Sequence, residues 1–527
     1  MTPGWVRVCA CALLFGVTVA SRAEAQDLDG KALYDRWCAG CHGLEGGGDG
    51  PSAGTMLPRP RDFQMALYQI RSTATGELPT DGDILHVIDT GMPGTTMPGW
   101  EDVLNQDERL ALVRYLKGLS YFFETLPPPE PIDFGRAPKM SEERVSEGRE
   151  IYEQVECWQC HGQGGRGDGN SAPTLEDDYG FPIAAADLTE NWRFTGGGSV
   201  EDIYRRVRTG MDGTPMPSTM TQSSDFVDPG AVTEDQLWSL AYYVRSLAPE
   251  EEPEVREVIR TNLLEDGALP STVGDSLWDG VERYYIPLVG QIMVAPRWFN
   301  PRVDGIWVQA LHDGRDLALL LTWNDPSNSP DSGWTEYAER ILDVMEPKDE
   351  GAATKPGAGD QAVVQFPLSV PAGSERPFFL QGDARRPTYL WTWESGSQGA
   401  VEAVAKGMGT AEPQPGGSQV LQSDAAHVDG QWKVLLRRSL ATEDAQGELQ
   451  FPLNRAVPVA FQVWDGDNGE QGTQGAVSAW YFISLGEAVP LTVFVAPVLA
   501  GLLTLGLGLA VVSRAQQRAL DPKETPG

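Results

Sequence analysis

Apolar residues recur at helical spacing in two parts of the first half of the chain. One series is Leu110, Val113, Leu116 and Leu119, and the other is Leu237, Leu240, Val244 and Leu247. Intervals of three or four residues place such side chains on one face of a helix. Thr233 and Gln236 form a capping-box pattern ahead of the second series, which predicts the start of that helix.

The pattern changes to short apolar runs in the second half of the chain. These runs are residues 306–311, 317–323, 362–366, 432–436 and 459–463, with Gly, Pro, Asp and Asn between them. Short apolar runs between turn-forming residues are typical of strands. We therefore expect an antiparallel β-sandwich over residues 276–485.

Residues 490–512 contain no charged side chain and are long enough, as a helix, to cross a bilayer of about 30 Å. Glu487 precedes the segment, and Arg514 and Arg518 follow it. The positive-inside rule then places the C-terminal tail in the cytoplasm and the preceding domains in the periplasm. A buried core helix is the alternative, but the flanking charges favour a transmembrane anchor.

Near the other end, Arg7 precedes an apolar stretch over residues 8–20, and Ala23-Glu24-Ala25 follows it. This order is typical of a secretory signal peptide, here residues 1–25 with cleavage after Ala25. Cleavage removes Cys9 and Cys11. The sequence therefore predicts an exported protein on the bacterial inner (cytoplasmic) membrane, with a single span and its folded domains in the periplasm.

The chain has 527 residues, which is too long for one hydrophobic core. Residues 126–140 open with Leu126-Pro127-Pro128-Pro129-Glu130-Pro131, which predicts a semi-rigid linker between a domain at 27–125 and one at 141–249. Lys and Arg total 40 against 75 Asp and Glu, a formal net charge of −35. This charge argues against nucleic acid as a partner and favours basic proteins or redox carriers.

Four cysteines remain after the predicted cleavage, and they form two Cys-x-x-Cys-His motifs. The motifs are residues 38–42 and 157–161. Two thiols at this spacing attach the vinyl groups of one porphyrin, and the adjacent imidazole takes an axial position on the iron. We therefore predict two covalently bound haem c groups, held by Cys38 and Cys41 with His42, and by Cys157 and Cys160 with His161. A thioredoxin-like redox pair or half of a zinc site needs a context that is not visible here.

A methionine loop follows each motif and offers the second axial ligand. The loops are Gly91-Met92-Pro93-Gly94-Thr95-Thr96-Met97-Pro98 and Gly210-Met211-Asp212-Gly213-Thr214-Pro215-Met216-Pro217. We favour Met97 and Met216 because each precedes a proline, whose fixed φ suits an extended loop. Met92 and Met211 are the alternatives, and His86 is the alternative for a bis-histidine site in the first domain.

The two halves of this region are an internal duplication. Cys157, His161, Gly210 and Met216 each lie 119 residues after Cys38, His42, Gly91 and Met97. A constant offset indicates two tandem copies of one domain. Over residues 27–249, the order of helix, haem motif, Gly-rich loop, helix, methionine loop and helix resembles class I cytochrome c. The resemblance implies two all-α domains with His/Met haem ligation.

A second resemblance covers most of residues 276–485. It rests on Leu320-Leu321-Thr322-Trp323-Asn324-Asp325-Pro326, Ala362-Val363-Val364-Gln365-Phe366-Pro367, Pro377-Phe378-Phe379-Leu380-Gln381-Gly382-Asp383 and Val463-Trp464-Asp465-Gly466-Asp467-Asn468-Gly469. These stretches resemble the haem b-binding γ subunit of ethylbenzene dehydrogenase and its relatives in dimethylsulfide dehydrogenase and nitrite oxidoreductase. The resemblance implies a β-sandwich that exchanges electrons with an iron–sulfur and molybdenum enzyme.

In that family, one haem b lies between a methionine and a lysine, whereas this chain has Gln381 and Gly475 at the corresponding places. Neither side chain is a good iron ligand, so we expect a sandwich without haem b. The alternative ligands are Met293, Met345, Met408 and Lys433. A structural role is the simpler interpretation of each of them.

Together, these features predict a membrane-anchored periplasmic dihaem cytochrome. We expect it to relay single electrons in a respiratory chain, as a subunit or partner of a molybdenum oxidoreductase, and not to be an enzyme itself. A soluble cytochrome or a terminal oxidase is another possible redox partner. The alternative functions are a ligand- or partner-binding sandwich with redox modules, or a dihaem peroxidase-like enzyme.

Overall fold

The structure is a computed structural model that describes residues 29–219, 232–346, 348–372, 376–486 and 492–520. The predicted signal peptide, with Cys9 and Cys11, lies outside the described residues. The described chain forms two helical regions, a sheet-rich region and one C-terminal helix. This architecture confirms the predicted fold class.

The first helical region contains five helices: α1 Gly30–Trp37, α2 Ala39–His42, α3 Asp81–Thr90, α4 Gln106–Gly118 and α5 Phe122–Thr125. The described residues of the second contain four: α6 Glu142–Gln154, α7 Trp158–His161, α8 Val200–Thr209 and α9 Glu234–Leu247. The predicted cap of α9 is confirmed, because Thr233 and Gln236 exchange both capping-box hydrogen bonds. The residues at 126–140 form no helix or strand, and α6 begins two residues later.

A glycine lies where the first helix of each repeat crosses the helix that follows the methionine loop. A Cβ atom on Gly30 of α1 would lie 2.5 Å from the carbonyl oxygen of Ala111 in α4. A Cβ atom on Gly148 of α6 would lie 2.0 Å from the carbonyl oxygen of Ser239 in α9. Only glycine permits this close approach of two helix backbones, so the crossing is fixed the same way in both copies.

Replacing Gly148 with alanine is therefore expected to destabilise the second domain by about 1–3 kcal/mol, because the added methyl group forces α6 away from α9. The measurement is thermal or denaturant unfolding followed at the helix signal of the purified protein. Gly118→Ala in α4 is the matched control, since a Cβ atom there meets nothing within 4 Å. Equal unfolding midpoints for the two variants would contradict the crossing as described.

The sheet-rich region contains fifteen described strands and one helix. They are β1 Val258–Arg260, β2 Asn262–Leu263, β3 Tyr284–Pro287, β4 Val289–Gly290, β5 Gly305–His312, β6 Asp316–Asn324, α10 Thr335–Val344, β7 Gln361–Pro367, β8 Thr388–Glu394, β9 Val401–Ala405, β10 Glu412–Pro413, β11 Gln422–His427, β12 Gln431–Ser439, β13 Ala456–Trp464, β14 Ala476–Val477 and β15 Tyr481–Ser484. The five apolar runs of the sequence lie within β5, β6, β7, β12 and β13. Strands β1 and β2 precede the predicted domain start at residue 276.

These strands form two sheets. The larger has the order β1-β15-β13-β7-β8-β9-β10, with β14 beside β13 and β4 beside β14. The smaller has the order β11-β12-β6-β5-β2, with β3 beside β5. Most pairs are antiparallel, whereas β1 with β15 and β2 with β5 are parallel. Alternate residues of β6, among them Leu319, Leu321 and Trp323, face residues such as Val364 and Phe461 of the larger sheet in one buried core. The two sheets therefore pack as a sandwich.

The C-terminal helix α11 covers Thr492–Leu520. Within it, Val495–Gln517 is long and apolar enough to cross a membrane, and no part of its most apolar stretch is buried against the rest of the protein. A core helix would be covered by other elements, so the exposure favours an anchor. The span lies a few residues C-terminal to the predicted 490–512 and takes in Arg514 near its end.

Candidate functional site

Each Cys-x-x-Cys-His motif forms a single helical turn that a buried tyrosine holds in place. The hydroxyl of Tyr34 in α1 donates to the carbonyl of Gly43, just after α2, at 2.7 Å. The hydroxyl of Tyr152 in α6 donates to the carbonyl of Gly162, just after α7, at 2.7 Å. The two motifs therefore have the same local support.

The second repeat has one more residue than the first between the supporting tyrosine and the haem motif. Cys38 follows Tyr34 by four residues and continues the helical hydrogen bonding, whereas Cys157 follows Tyr152 by five. The extra residue is absorbed by Glu156, which has a φ of 59°. This left-handed conformation is unfavourable for a non-glycine residue. Its presence next to Cys157 keeps the second motif in the geometry of the first.

Both motif histidines present one ring nitrogen to a backbone carbonyl. His42 Nδ1 lies 3.0 Å from the carbonyl oxygen of Arg61, and His161 Nδ1 lies 2.9 Å from that of Ala186. When Nδ1 donates in these bonds, Nε2 is unprotonated and available to a metal, as in other histidine ligands. Burial lowers the pKa of both imidazoles, which favours the neutral form that ligation requires.

The motif thiols are not arranged as reactive thiolates. Burial raises the pKa of the Cys38 thiol to about 12 and that of Cys157 to about 11, and it also raises the pKa values of Cys41 and Cys160. Redox-active and zinc-binding cysteines have lowered pKa values. The raised pKa values fit thiols that end as thioethers on a porphyrin.

The two methionine loops have the same backbone design. In the first, the amide of Met92 donates to the carbonyl of Met97 at 3.0 Å, and in the second the amide of Met211 donates to that of Met216 at 3.0 Å. Met216 packs against the same buried core as Cys157 and Trp158 of the second haem motif. This shared core favours Met216 as the ligand, and Met97 holds the equivalent place in the first loop. The assignment of both axial methionines stays a prediction.

The first domain also contains polar groups that fit a haem. The hydroxyl of Tyr68 and the indole nitrogen of Trp100 are buried and have no hydrogen-bond partner. Buried donors of this kind call for an acceptor, which the propionate carboxylates of a haem supply. Trp100 packs on Trp37, next to Cys38, with ring centroids 5.3 Å apart. His86 is exposed on α3, a position that does not fit the bis-histidine alternative.

The methionine loop of each repeat lies against the other repeat. A Cβ atom on Gly94 would lie 2.4 Å from the carbonyl oxygen of Arg193 in the second domain. A Cβ atom on the equivalent Gly213 would lie 2.6 Å from Nη1 of Arg61 in the first domain. Arg61 is also the residue whose carbonyl faces His42. The contacts are thus reciprocal, and they bring both candidate iron sites toward one interface.

A buried ion pair joins the two domains beside the second methionine loop. Nη2 of Arg71, a residue 1% exposed, lies 2.8 Å from Oδ1 of Asp212 and donates to the carbonyl of Thr209 at 2.8 Å. The guanidinium of Arg206 donates to the carbonyls of Gln69 and Arg71 at 3.0 and 2.9 Å. The first domain therefore binds, through these hydrogen bonds and this ion pair, the end of α8 and the start of the loop that contains Met216.

Both helical domains dock on the sandwich near α10. In the first domain, Leu57 and Thr55 exchange hydrogen bonds with the side-chain amide of Asn300 at 3.1 and 2.9 Å. In the second, the side-chain amide of Asn324 donates to Asp187 at 2.6 Å. Ala172 completes an apolar cluster whose other members, Trp298, Trp334, Tyr337, Ile341, Leu342 and Met345, belong to the sandwich. The three folded regions therefore pack as one unit.

The junction of the second domain with the sandwich contains a titratable group. Glu190 is buried and pairs with Arg193 at 3.3 Å, and Arg193 also pairs with Asp304. Burial and the carboxyls of Asp304 and Asp187 raise the pKa of Glu190 from 4.5 to about 8. The folded protein thus keeps a proton that the unfolded chain releases, and this group makes the protein less stable as pH rises from about 4.5 to about 8.

Glu190→Gln is expected to remove that part of the pH dependence, which is at most about 1.4 kcal/mol per pH unit for one proton. Apparent unfolding midpoints across this pH range, compared with wild type, provide the measurement. Glu150→Gln, at an exposed position on α6, is the control and should leave the wild-type slope unchanged. A Glu190→Gln protein with the full wild-type slope would show that the junction titrates through another group.

The places expected for haem b ligands in the sandwich do not fit that role. The side-chain amide of Gln381 donates to Gln462 at 3.0 Å, and Gln462 donates to Gln365 at 3.1 Å, so this buried glutamine network satisfies itself. A Cβ atom on Gly475 would lie 2.4 Å from Nε1 of Trp464, which leaves no room for a side chain. Among the substitute ligands, Met293 and Lys433 are exposed, Met345 accepts from Asn300, and Met408 packs beside Trp464.

Sequence reasoning found the motif residues but not the groups that join the domains. Arg61, Arg71 and Asp212 had no predicted role, because a charged residue in a loop usually forms a solvated surface. The spacing of Gly94 and Gly213 within equivalent loops was the available signal. It indicated a repeated turn, but not that each turn contacts the other domain.

Comparison with known proteins agrees with this division of the chain. Residues 25–116 match the family of cytochrome c oxidase, cbb3-type, subunit III. Residues 145–248 match the cytochrome c family, and residues 411–476 match the ethylbenzene dehydrogenase family.

Two relatives and one solved structure show similarity to larger parts of the chain. The putative respiratory nitrate reductase heme subunit ORF7 of Haloferax mediterranei is 24% identical over 261 residues, which are 48% of this chain and 82% of that protein. Chlorate reductase subunit gamma of Ideonella dechloratans is 28% identical over 123 residues, 23% of this chain and 48% of that protein. A chain of the Kuenenia stuttgartiensis reducing HAO-like protein complex is 43% identical, with coverage of 42% of this chain and 96% of that one and a TM-score of 0.39.

The fold, the two motifs, the family matches and the two relatives define a multihaem c-type cytochrome, a class of electron-transfer protein. More particularly, the chain joins two cytochrome c domains to a sandwich of the ethylbenzene dehydrogenase type and is related to haem and gamma subunits of nitrate and chlorate reductases. Two cytochrome c domains imply covalently bound haem c. This confirms the resemblances on which the sequence analysis rested.

Proposed function

We propose that this chain relays single electrons to or from a molybdenum oxidoreductase at the periplasmic face of the bacterial cytoplasmic membrane. It acts as the electron-transfer subunit of that complex and not as its catalytic subunit. The observation that carries the proposal is the reciprocal packing of the methionine loops, in which Gly94 contacts Arg193 and Gly213 contacts Arg61. A relay needs its two redox centres close together and fixed, and contacts of both methionine loops with the opposite domain support this arrangement.

Residues of the chain hold and insulate the two centres. Cys38, Cys41, Cys157 and Cys160 would attach the porphyrins. His42 and His161 would each provide an imidazole nitrogen to the iron, and Met97 and Met216 would provide the thioethers. Bound haem with these ligands supplies a one-electron iron couple of raised potential. Arg61 and Ala186 fix the imidazoles through their carbonyls. Matched loops in both domains favour a relay over a peroxidase-like enzyme, which needs one iron with an open position.

The sandwich and the C-terminal helix locate the relay. The similarity of residues 411–476 to the ethylbenzene dehydrogenase family supports a docking role toward a molybdenum enzyme. The exposed apolar segment Val495–Gln517 supports attachment to a membrane. The charges around this segment and the predicted signal peptide support a periplasmic location for the folded domains.

Purification of the detergent-solubilised full chain from its native membrane tests the partner. We expect a molybdenum-containing subunit to co-purify in stoichiometric amount. We expect the substrate of that subunit to change the redox state of the haems, by reducing oxidised haem if the substrate donates electrons and by oxidising reduced haem if it accepts them. Co-purification of a terminal oxidase without molybdenum would refute the proposed partner and support a general respiratory relay.

Haem counting tests the cofactors. We expect two haem c and no haem b per chain, because the Gln381 network and the Trp464 ring occupy the family's ligand places. Alkaline pyridine spectra of the reduced protein separate the two haem types, and acid–acetone extraction removes haem b alone. One extractable haem per chain would overturn this assignment and direct attention to Met408.

A further inference from the structure

Three aspartates meet at one end of the sandwich, between its two sheets. Asp325 directly follows β6 of the smaller sheet, while Asp360 directly precedes β7 and Asp465 directly follows β13 of the larger one. One carboxylate oxygen from each lies within 4.8 Å of the others. All three residues are at most 1% exposed. The ends of three strands thus bring three carboxyl groups together in the interior.

The charge of this aspartate cluster is not balanced by the protein. Asp467 and Glu470 are also buried nearby, and Arg302 provides one positive charge, with Nε 3.7 Å from Oδ2 of Asp465. Buried carboxylates are costly unless they are paired or coordinate a metal. Five acidic side chains against one guanidinium therefore leave an excess of negative charge.

One carboxylate oxygen in the cluster accepts no hydrogen bond. Oδ1 of Asp465 accepts hydrogen bonds from the amides of Asp467 and Asn468 at 2.9 and 3.0 Å. Oδ2 of the same side chain is buried and has no hydrogen-bond donor. Asp360, in contrast, is held by three donors from Ser329, Trp432 and Gly466. The cluster thus contains a fixed carboxylate and a buried oxygen that accepts no hydrogen bond and has only the Arg302 guanidinium, at 3.7 Å, as a described charge partner. Such an oxygen is available to ligate a cation.

We propose that Asp325, Asp360 and Asp465 bind one hard divalent cation, of which Ca²⁺ is the best fit. The three side chains offer oxygen atoms only, and Ca²⁺ takes oxygen ligands at about 2.3–2.6 Å in flexible geometry. Two ligands of one such ion lie at most about 5.2 Å apart. The three oxygens lie within 4.8 Å of one another, so one ion can contact all three. Two positive charges offset part of the buried negative charge.

The cation site lies next to the contact between the sandwich and the second cytochrome domain. The carbonyl of Asp325 accepts from Nε2 of His427 at 2.9 Å, and the neighbouring Asn324 donates to Asp187 at 2.6 Å. The residue before Asp187 is Ala186, whose carbonyl faces His161. A bound cation therefore secures the strand end that supports the backbone beside the second haem motif.

Metal analysis of the purified full-length protein tests the proposal. The protein is first dialysed against metal-free buffer, and one equivalent of CaCl₂ per chain is then added. We expect one bound Ca²⁺ per chain. We also expect EDTA to lower the apparent unfolding midpoint and CaCl₂ to restore it. A protein without bound Ca²⁺, and with a midpoint that neither EDTA nor CaCl₂ changes, would overturn the site. Binding of MgCl₂ as tight as that of CaCl₂ would overturn the assignment to calcium.

Asp465→Asn keeps the size of the side chain and the Oδ1 acceptor but removes the charge, so we expect at least a tenfold loss of Ca²⁺ affinity. Asp343→Asn is the control, because that side chain is 87% exposed on α10, and it should bind Ca²⁺ like wild type. If Asp465→Asn does not fold, Asp325→Asn replaces it, and the chelator response of wild type still decides the question. Wild-type affinity in a folded Asp465→Asn protein would overturn the proposal.

Discussion

Replacing Met216 with histidine is expected to lower the reduction potential of the second haem by on the order of 0.1 V or more. Axial ligands move haem potentials over a range of about 0.8 V, and a thioether favours the reduced iron more than an imidazole does. The packing of the second loop supports this assignment, since Met216 lies against the same buried core as Cys157 and Trp158. Spectroelectrochemical titration of the variant provides the potential, with the first haem as an internal reference.

The neighbouring methionine provides the control for that experiment. Met211→Leu should leave both potentials and the thioether-to-iron charge-transfer band in place, whereas Met216→His should abolish the band of one haem. Met97→His and Met92→Leu repeat the comparison in the first domain. If the Met211 variant loses the band and the Met216 variant retains it, the order of ligands in the loop is the reverse of that proposed here.

The sequence predicted the parts of this structure that depend on local spacing. Helices α4 and α9 lie where apolar residues recur every three or four positions, and the capping box at Thr233 forms as expected. Each of the five apolar runs in the second half lies in a strand. These features depend on neighbours in the chain, so a reader of one sequence can find them.

The interfaces between domains could not be found in this way. Arg71 and Asp212 are separated by 141 residues, and each stands in a polar loop that is typical of a solvated surface. Asp325, Asp360 and Asp465 each adjoin a strand, where aspartate commonly serves in turns. Only the fold brings such residues together, and their burial changes their chemical meaning.

The constant offset of 119 residues also concealed local differences between the repeats. Tyr34 and Tyr152 have the same role, but their separation is one residue shorter than the offset of 119. The left-handed conformation of Glu156 accommodates the difference. The carbonyls that face the two histidines belong to Arg61 and Ala186, whose separation is six residues longer than the offset of 119. The motif geometry is thus kept in both copies while the connecting loops vary, as expected when haem attachment constrains the fold.

Asp212→Asn, at the interface between the two cytochrome domains, is expected to destabilise the protein and to slow electron exchange between the haems. The substitution leaves the buried guanidinium of Arg71 without its charge partner. Removing one member of a buried ion pair costs about 3–5 kcal/mol, and we expect the lower end here because Arg71 also bonds to the carbonyls of Thr209, Tyr68 and Ala74. The first domain should then separate more readily from the methionine loop of the second. Since electron transfer weakens steeply with distance, exchange between the two haems should slow.

Rapid reduction followed by redistribution of the electron between the haems measures this exchange, and unfolding midpoints measure the stability. Asp35→Asn is the matched control, because its pair with Lys31 is exposed and within one domain, where such pairs contribute about 0–1 kcal/mol. Arg71→Met and the double variant complete a cycle that isolates the pair energy from other effects. An intact charge-transfer band in Asp212→Asn shows that Met216 is still in place, so that slower exchange reports the interface. Wild-type exchange in a destabilised variant would mean that the ion pair holds the domains together without setting the path of the electron.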